Sequence, residues 1–312
     1  MARLVAVTGA TGFLGRHVVR SFLDAGWRVR ILTRRDPVDP AWRPHAVEAV
    51  PGDLDAAGAL HRLVAGADTV VHAAGLIKAR RDSAFHAVNA GGAQKLAEAM
   101  RTHAPEARML LVSSLAAREP HLSPYAASKR AGEEVARTLL GERLAIVRPT
   151  AIYGPGDQET FQFIAAAAKG WPLPLLHPAA RLTMVHVADV AAEIRALADA
   201  APRAAPHAVA DARGEGYSWR EVAAAVAAAV GTKPRFLRVP AAGLRLVGWA
   251  GSAAQLLGRT PIATPGKMRE LLHPDWSISG SERSRSGHVP VHGLAGGLAD
   301  TVAWARREGW LR

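Results

Sequence analysis

The chain has 312 residues, 49% hydrophobic and 21% charged, with a net charge of +12 and no cysteine. That balance is ordinary for a globular protein and suits one large α/β domain, or one plus a smaller lobe. The lack of cysteine excludes disulfides, thiolate metal sites and cysteine nucleophiles, and no metal is expected. A basic chain invites nucleic acid as a partner, but its arginines are not interleaved with stacking aromatics and only 5% of residues are aromatic, so none is expected. A solvated basic surface with a phosphate-bearing ligand is the simpler reading.

The segment Met1–Val7 runs straight into a strand pattern with no room for a signal peptide, and a cytoplasmic location is expected. The first strand, Leu4–Thr8, leads into Thr8-Gly9-Ala10-Thr11-Gly12-Phe13-Leu14-Gly15. Glycines at this spacing between a strand and a helix suit a dinucleotide pyrophosphate. Gly9 turns the chain, Gly12 admits the phosphates, and Gly15 lets helix pack on strand. The helix N-terminus then offers unpaired N–H groups and the positive end of its dipole. Leu14, Val18 and Phe22 recur every four residues to make one helix face, and Gly26 ends it. After the second strand, Val29–Thr33, stand Arg34 and Arg35 where an NAD-binding protein usually has an acid. A guanidinium suits a 2′-phosphate, so NADP(H) is favoured over NAD(H). Asp36 is the one residue there that argues the other way.

Further strands are expected at Val47–Val50, Thr69–Ala73, Met109–Ser113 and Leu144–Arg148. Each is apolar without strict alternation, as in a parallel sheet covered on both faces. Ser113 and Ser114 end the fifth strand, where a hydroxyl is placed to hydrogen-bond a substrate carbonyl. Tyr125 and Lys129 lie four apart on one face of a helix. A phenol titrates near 10, and an adjacent ammonium brings it toward the range of a working acid/base. Prolines at 155, 172, 174 and 178 mark loops. Helices are expected near Val187–Ala200, Ser218–Val230, Ala241–Leu257 and Leu294–Glu308. The stretch Ala241–Leu257 is apolar but carries Arg245 and three glycines, too broken to span a membrane. A lid, an amphipathic surface helix and a partly buried helix of a second lobe all suit it, the last best.

Together these motifs resemble the extended short-chain dehydrogenases/reductases, the group of epimerases, dehydratases and 3β-hydroxysteroid dehydrogenase-like enzymes. The likeness runs through TGATGFLG (8–15), GDL (52–54), VHAAG (71–75), VNAGGAQKL (88–96), LVSS (111–114), YAASK (125–129), RPTAIYGPGD (148–157) and VHVADVA (185–191). It implies an α/β, Rossmann-type doubly wound parallel sheet over residues 1–150. A smaller C-terminal substrate-binding lobe would occupy 151–312, with segments around 180–212 returning to the core. It also implies that Gly9, Thr11, Gly12, Phe13 and Leu14 wrap the pyrophosphate, Asp53 and Leu54 flank the adenine, and Ala73 and Ala74 line the nicotinamide ribose. Pro149 and Thr150 would lie by the nicotinamide. Tyr125 would be the general acid/base, and Lys129 would bind the ribose while lowering the tyrosine pKa. Ser114 fits the carbonyl-orienting position best, with Ser113 as the alternative. Asn89 would order the site, and His186 and Asp189 suit a hydrogen-bonding role better than catalysis.

The chain departs from the group in a short Ser114–Tyr125 loop and in Leu115, where many epimerases carry a small or polar residue. The reaction expected first is reversible NADP(H)-linked reduction of a ketone or aldehyde, with an apolar carbonyl or alcohol as substrate and a homodimer allowed. A nucleotide-sugar epimerase or dehydratase is the alternative. Against it, the asparagine expected after Arg148-Pro149 is missing, and Arg181 sits one residue off the usual spacing from His186. A non-catalytic cofactor-binding module is the third reading, disfavoured because a pure binder has no need of an activated phenol.

Overall fold

The computed structural model describes residues 2–34, 42, 45, 47–256 and 263–311. Strands β1 (Leu4–Thr8), β2 (Arg28–Thr33), β3 (Val47–Pro51), β4 (Thr69–His72), β5 (Arg108–Val112) and β6 (Leu144–Pro149) fall within two residues of the expected bounds. With β11 (His207–Val209) they form one sheet in the order β11-β6-β5-β4-β1-β2-β3. The pairs β2–β3, β1–β2, β1–β4, β4–β5 and β5–β6 are parallel; Val5, for example, sits in register with both Val29 and Thr69. Chain order reverses between β1 and β4, which opens a crevice at the carboxyl ends of these strands.

Helices α1 (Phe13–Asp24), α2 (Ala57–Val64), α3 (Asp82–Phe85), α4 (Gly91–His103), α5 (Pro124–Leu140) and α7 (Val187–Leu197) cross over between strands. A single π-helical turn, His86–Ala90, joins α3 to α4. The core between sheet and helices holds Leu63, Leu96, Met100 and Met109, all fully buried. Cutting any of the first three back to alanine is expected to cost about 2–5 kcal/mol, because the site collapses only partly around the void.

The chain divides into two compact units. The first comprises Met1–Arg148, Ala191–His207 and Ser284–His288; the second comprises Pro149–Val190, Ala208–Arg283 and Val289–Arg312. In the second, three short parallel pairs form: β7 (Ala151–Tyr153) with β10 (Met184–His186), β8 (Leu173–Leu175) with β12 (Phe236–Arg238), and β9 (Arg181–Leu182) with β13 (Asp275–Trp276). Helices α6 (Gln158–Ala168), α8 (Trp219–Val230), α9 (Ala241–Leu256), α10 (Pro265–Leu272) and α11 (Leu294–Arg307) complete it. Its core gathers Tyr153, Ile164, Leu173, Val226, Leu298 and Val302.

Two of these helices, α6 and α10, were not expected from the sequence. Prolines 155 and 172 read as loop markers, yet Asp157 between them caps α6 by accepting hydrogen bonds from Glu159 N and Thr160 N, both at 3.0 Å. The fifth strand also stops one residue early. It ends at Val112, so Ser113 and Ser114 lie just beyond the sheet rather than within it.

Candidate active site

The residues of the glycine loop suit an anion such as a pyrophosphate. Gly9 has φ +72°, and a Cβ there would lie 2.5 Å from Ala74 N. A Cβ on Gly15 would lie 2.0 Å from Gly9 O, so a side chain at either position breaks the packing of α1 and the β4 loop against the turn. Gly12 is the N-cap of α1, with no side chain to cap the helix and no acid in its first turn. The first-turn amides therefore stay available to an anion. Thr11 and Gly12 are exposed, while Phe13 and Leu14 are half-buried.

Thr8, at the end of β1, draws the β4 loop in beside this turn. Its Oγ1 accepts from Ala74 N (3.3 Å) and pairs with His72 Nδ1 (2.7 Å), and its carbonyl accepts from Ala73 N (3.2 Å). Gly75 follows, where a Cβ would lie 2.9 Å from Asn89 Oδ1 and 3.4 Å from Lys129 Nζ.

Asn89 fixes α5 against that loop. Its Oδ1 accepts from Leu76 N (2.8 Å), and its Nδ2 donates to Leu76 O (3.1 Å) and to Ser128 Oγ (2.9 Å). Ser128 in turn donates to Tyr125 O at 2.7 Å. Gly132 lets α5 press on the π-turn, since a Cβ there would come within 2.9 Å of Asn89 O. The helix starts at Ser123, whose Oγ accepts from Ala126 N, with Pro124 in its first turn.

Tyr125 and Lys129 are both half-buried, one turn apart on α5. The tyrosine ring meets Phe85 edge-on at 6.1 Å. Lys129 Nζ donates to Val112 O at 2.8 Å, tying the helix to the end of β5. Desolvation pulls the Lys129 ammonium down to about 8, opposed by the nearby Glu133 carboxylate. His72 faces the same small cavity as Asn89, Ser113 and Lys129. Burial, with the Lys129 charge adding to it, holds His72 neutral with a pKa of about 3. Its Nε2 has no hydrogen-bond partner among the described residues.

The two serines are not equivalent. Buried Ser113 donates to Glu133 Oε1 at 2.5 Å, and Glu133 takes both Nε (2.8 Å) and Nη2 (2.5 Å) of Arg148. Ser114 is more exposed, and its Oγ accepts from Ala116 N at 3.2 Å, capping the short 3₁₀ turn Leu115–Arg118. That bond leaves the Ser114 hydroxyl hydrogen to donate.

The remaining expected positions divide. Asp53 is exposed and accepts from Asp55 N at 2.9 Å, while Leu54 is half-buried against Gly92. Arg34 is exposed at the end of β2, and Arg35 lies outside the described residues. Pro149 and Thr150 belong to the second unit, where Thr150 N donates to Val209 O at 3.0 Å. His186 and Asp189 are also there: Asp189 accepts from Val291 N, His292 N and His292 Nδ1, and the rings of His186 and His292 stack 4.1 Å apart. Glu133, Arg148 and His72 escaped the sequence reading as site residues. Glu133 had a signal, since it falls four and eight residues after Lys129 and Tyr125 on the same helix face.

The model of the NAD dependent epimerase/dehydratase family matches residues 5–209. A ceramide reductase of Caulobacter vibrioides is 48% identical over 309 residues, covering 99% of this chain and 96% of the relative. A 2-alkyl-3-oxoalkanoate reductase of Stenotrophomonas maltophilia is 29% identical, covering 94% and 97%. Among solved structures, gox2253 superposes with a TM-score of 0.81 at 22% identity, covering 100% of both chains. The chain belongs to the NAD dependent epimerase/dehydratase family of extended short-chain dehydrogenases/reductases and is an NAD(P)-dependent oxidoreductase.

Proposed function

We propose that the protein reduces an oxo group carried by a long-chain, ceramide-like lipid, with NADPH preferred over NADH. The observation that carries the catalytic part is the division of labour between the serines. Ser113 donates to Glu133, which Arg148 holds in place, whereas Ser114 keeps a hydrogen to donate and stands at the end of β5 near the helix that bears Tyr125 and Lys129. The substrate class rests on the 48% identity to a ceramide reductase, supported by the oxoalkanoate reductase; both names describe reductases of molecules with alkyl chains.

Bound NAD(P)H supplies the hydride. Ser114 Oγ donates to the substrate carbonyl oxygen and orients it. Tyr125 gives its phenolic proton to that oxygen as negative charge develops, leaving a secondary alcohol and a phenolate. Lys129 stabilises that phenolate and holds the cofactor ribose, while Asn89, through Ser128, keeps this stretch of α5 in place. Gly9, Thr11, Gly12, Phe13, Leu14 and Gly15 hold the pyrophosphate. Asp53 and Leu54 serve the adenine, Ala73 and Ala74 the ribose, and Pro149 and Thr150 the nicotinamide. Arg34 and Arg35 bind the 2′-phosphate.

The experiment supplies purified protein with NADPH or NADH and a long-chain oxo-amide in detergent micelles. Absorbance at the reduced-nicotinamide band and mass spectrometry of the lipid are followed together. Loss of NADPH matched by a lipid heavier by two hydrogens supports the reading. Epimerisation of a UDP-hexose with no net cofactor change, and no lipid reduction, would replace it with the nucleotide-sugar alternative.

A further inference from the structure

In the second unit, α9 buries a narrow stripe and leaves much of its described surface exposed. Leu244, Gly248 and Gly251 are buried. A Cβ on Gly248 would lie 3.1 Å from Pro265 Cα, and one on Gly251 would lie 1.6 Å from Ala263 O. The two glycines therefore let α9 lie directly on the start of α10. Around the exposed arc stand Leu246 (70% exposed), Val247 (50%) and Trp249 (69%), with Arg245 as the only charge on the helix. Strand β12 runs into α9 through Val239 and Pro240 and adds exposed Leu237 and Arg238. Isolated exposed apolar side chains are ordinary; three on one helix, with a fourth on the strand that leads into it, mark a surface that something covers.

The charge pattern says what covers it. Between Glu221 and Glu270 the sequence has no Asp or Glu, yet it carries Lys233, Arg235, Arg238, Arg245, Arg259, Lys267 and Arg269. Glu270 itself is buried and paired with Lys267. A second copy docked face to face would bring like charges together, because a two-fold interface sets each patch against itself. A bilayer with anionic headgroups meets both features. Apolar side chains enter the acyl boundary, Trp249 sits at the headgroup level, and the arginines reach back to phosphate.

We propose that the exposed face of α9, with Leu237 and Arg238 of β12, docks this protein peripherally on an anionic lipid bilayer. No described helix is long and apolar enough to cross one, so the attachment is interfacial. The assignment stands on this surface alone and does not depend on the lipid-reductase reading.

The test is sedimentation of the full-length protein with vesicles of phosphatidylcholine, with and without phosphatidylglycerol, at low and high salt. The wild type is expected to pellet with anionic vesicles, and salt should weaken the binding by screening. Leu246→Ser/Trp249→Ser should weaken it about tenfold or more. Arg238→Glu/Arg245→Glu, which leaves the apolar residues in place, should do the same. Unchanged NADPH binding and melting temperature confirm that each variant is folded, and if the apolar variant fails this check the charge-reversal pair decides. No wild-type binding, equal binding to neutral vesicles, or full binding by a folded variant would overturn the proposal. So would a wild-type dimer, seen by light scattering, that the variants convert to monomer with no vesicle binding by either form.

Discussion

Ser113 Oγ lies 2.5 Å from Glu133 Oε1, whereas the adjacent Ser114 Oγ accepts from Ala116 N, so the two serines stand in different surroundings. Buried Glu133 and half-buried Arg148 form a bidentate pair, and removing one member of such a pair strands a charge largely away from water. Glu133→Gln is therefore expected to destabilise the fold by about 3–5 kcal/mol. Ser114→Ala should cost only about 1 kcal/mol of stability, the worth of its turn cap, and lower kcat/KM by about tenfold, the worth of one hydrogen bond to a carbonyl. The reverse pattern, with Ser113→Ala inactive but stable and Ser114→Ala silent in turnover, would move the carbonyl-orienting role to Ser113.

Tyr125→Phe removes a hydroxyl and keeps the ring that meets Phe85. Folding and cofactor binding should survive while kcat falls by about 10²–10⁴, the usual contribution of one general acid. Steady-state kinetics with a parallel cofactor titration checks this. Turnover near the wild-type level would remove Tyr125 from the chemistry.

The proposed preference for NADPH rests on Arg34, exposed at the end of β2, and on its neighbour Arg35. If they hold the 2′-phosphate, the Arg34→Ala/Arg35→Ala double variant should lose NADPH affinity by at least about tenfold, as charge-assisted hydrogen bonds are among the stronger ones. NADH affinity should stay unchanged. Fluorescence titration of both cofactors reads this directly, and equal affinities in the wild type would sink the NADP preference.

The sheet was legible because each of its first six strands is a short apolar run set off by loops, and burial on both faces makes such runs continuous. The glycine loop was legible because Gly9 and Gly15 are positions where any Cβ collides with backbone. Tyr125 and Lys129 were legible because helical period alone puts them together. What stayed hidden depends on contacts between distant segments. Nothing local marks His86–Ala90 as a π-turn; the turn brings Asn89 to Leu76 and Ser128 at once. His72 reads as one polar residue ending a strand, and only the fold sets it in one cavity with Lys129. Helix α10 could have been found, since Thr264 caps it and Pro265 opens it.

Lys129 links function to stability through pH. Its folded pKa, about 8, lies below the ordinary 10.5 because burial disfavours the cation. Below about pH 8 both folded and unfolded chains hold the proton, and the folded state bears the full cost of burying it. Between about 8 and 10.5 the unfolded chain binds more protons than the folded one, so this group makes stability rise with pH across that window. Lys129→Met removes the buried charge and forgoes the hydrogen bond to Val112 O, worth about 1 kcal/mol, together with the weaker attraction of Glu133. The cofactor-free variant should therefore melt no lower than wild type at pH 7, and it should lose the relative gain between pH 8 and 10.5. If Lys129 holds the cofactor ribose, added NADPH should raise the melting temperature of the wild type far more than that of the variant. Thermal melts across pH, with and without NADPH, test both halves. A variant much less stable than wild type at pH 7 would show that Lys129 contributes to the fold rather than being held there at its expense.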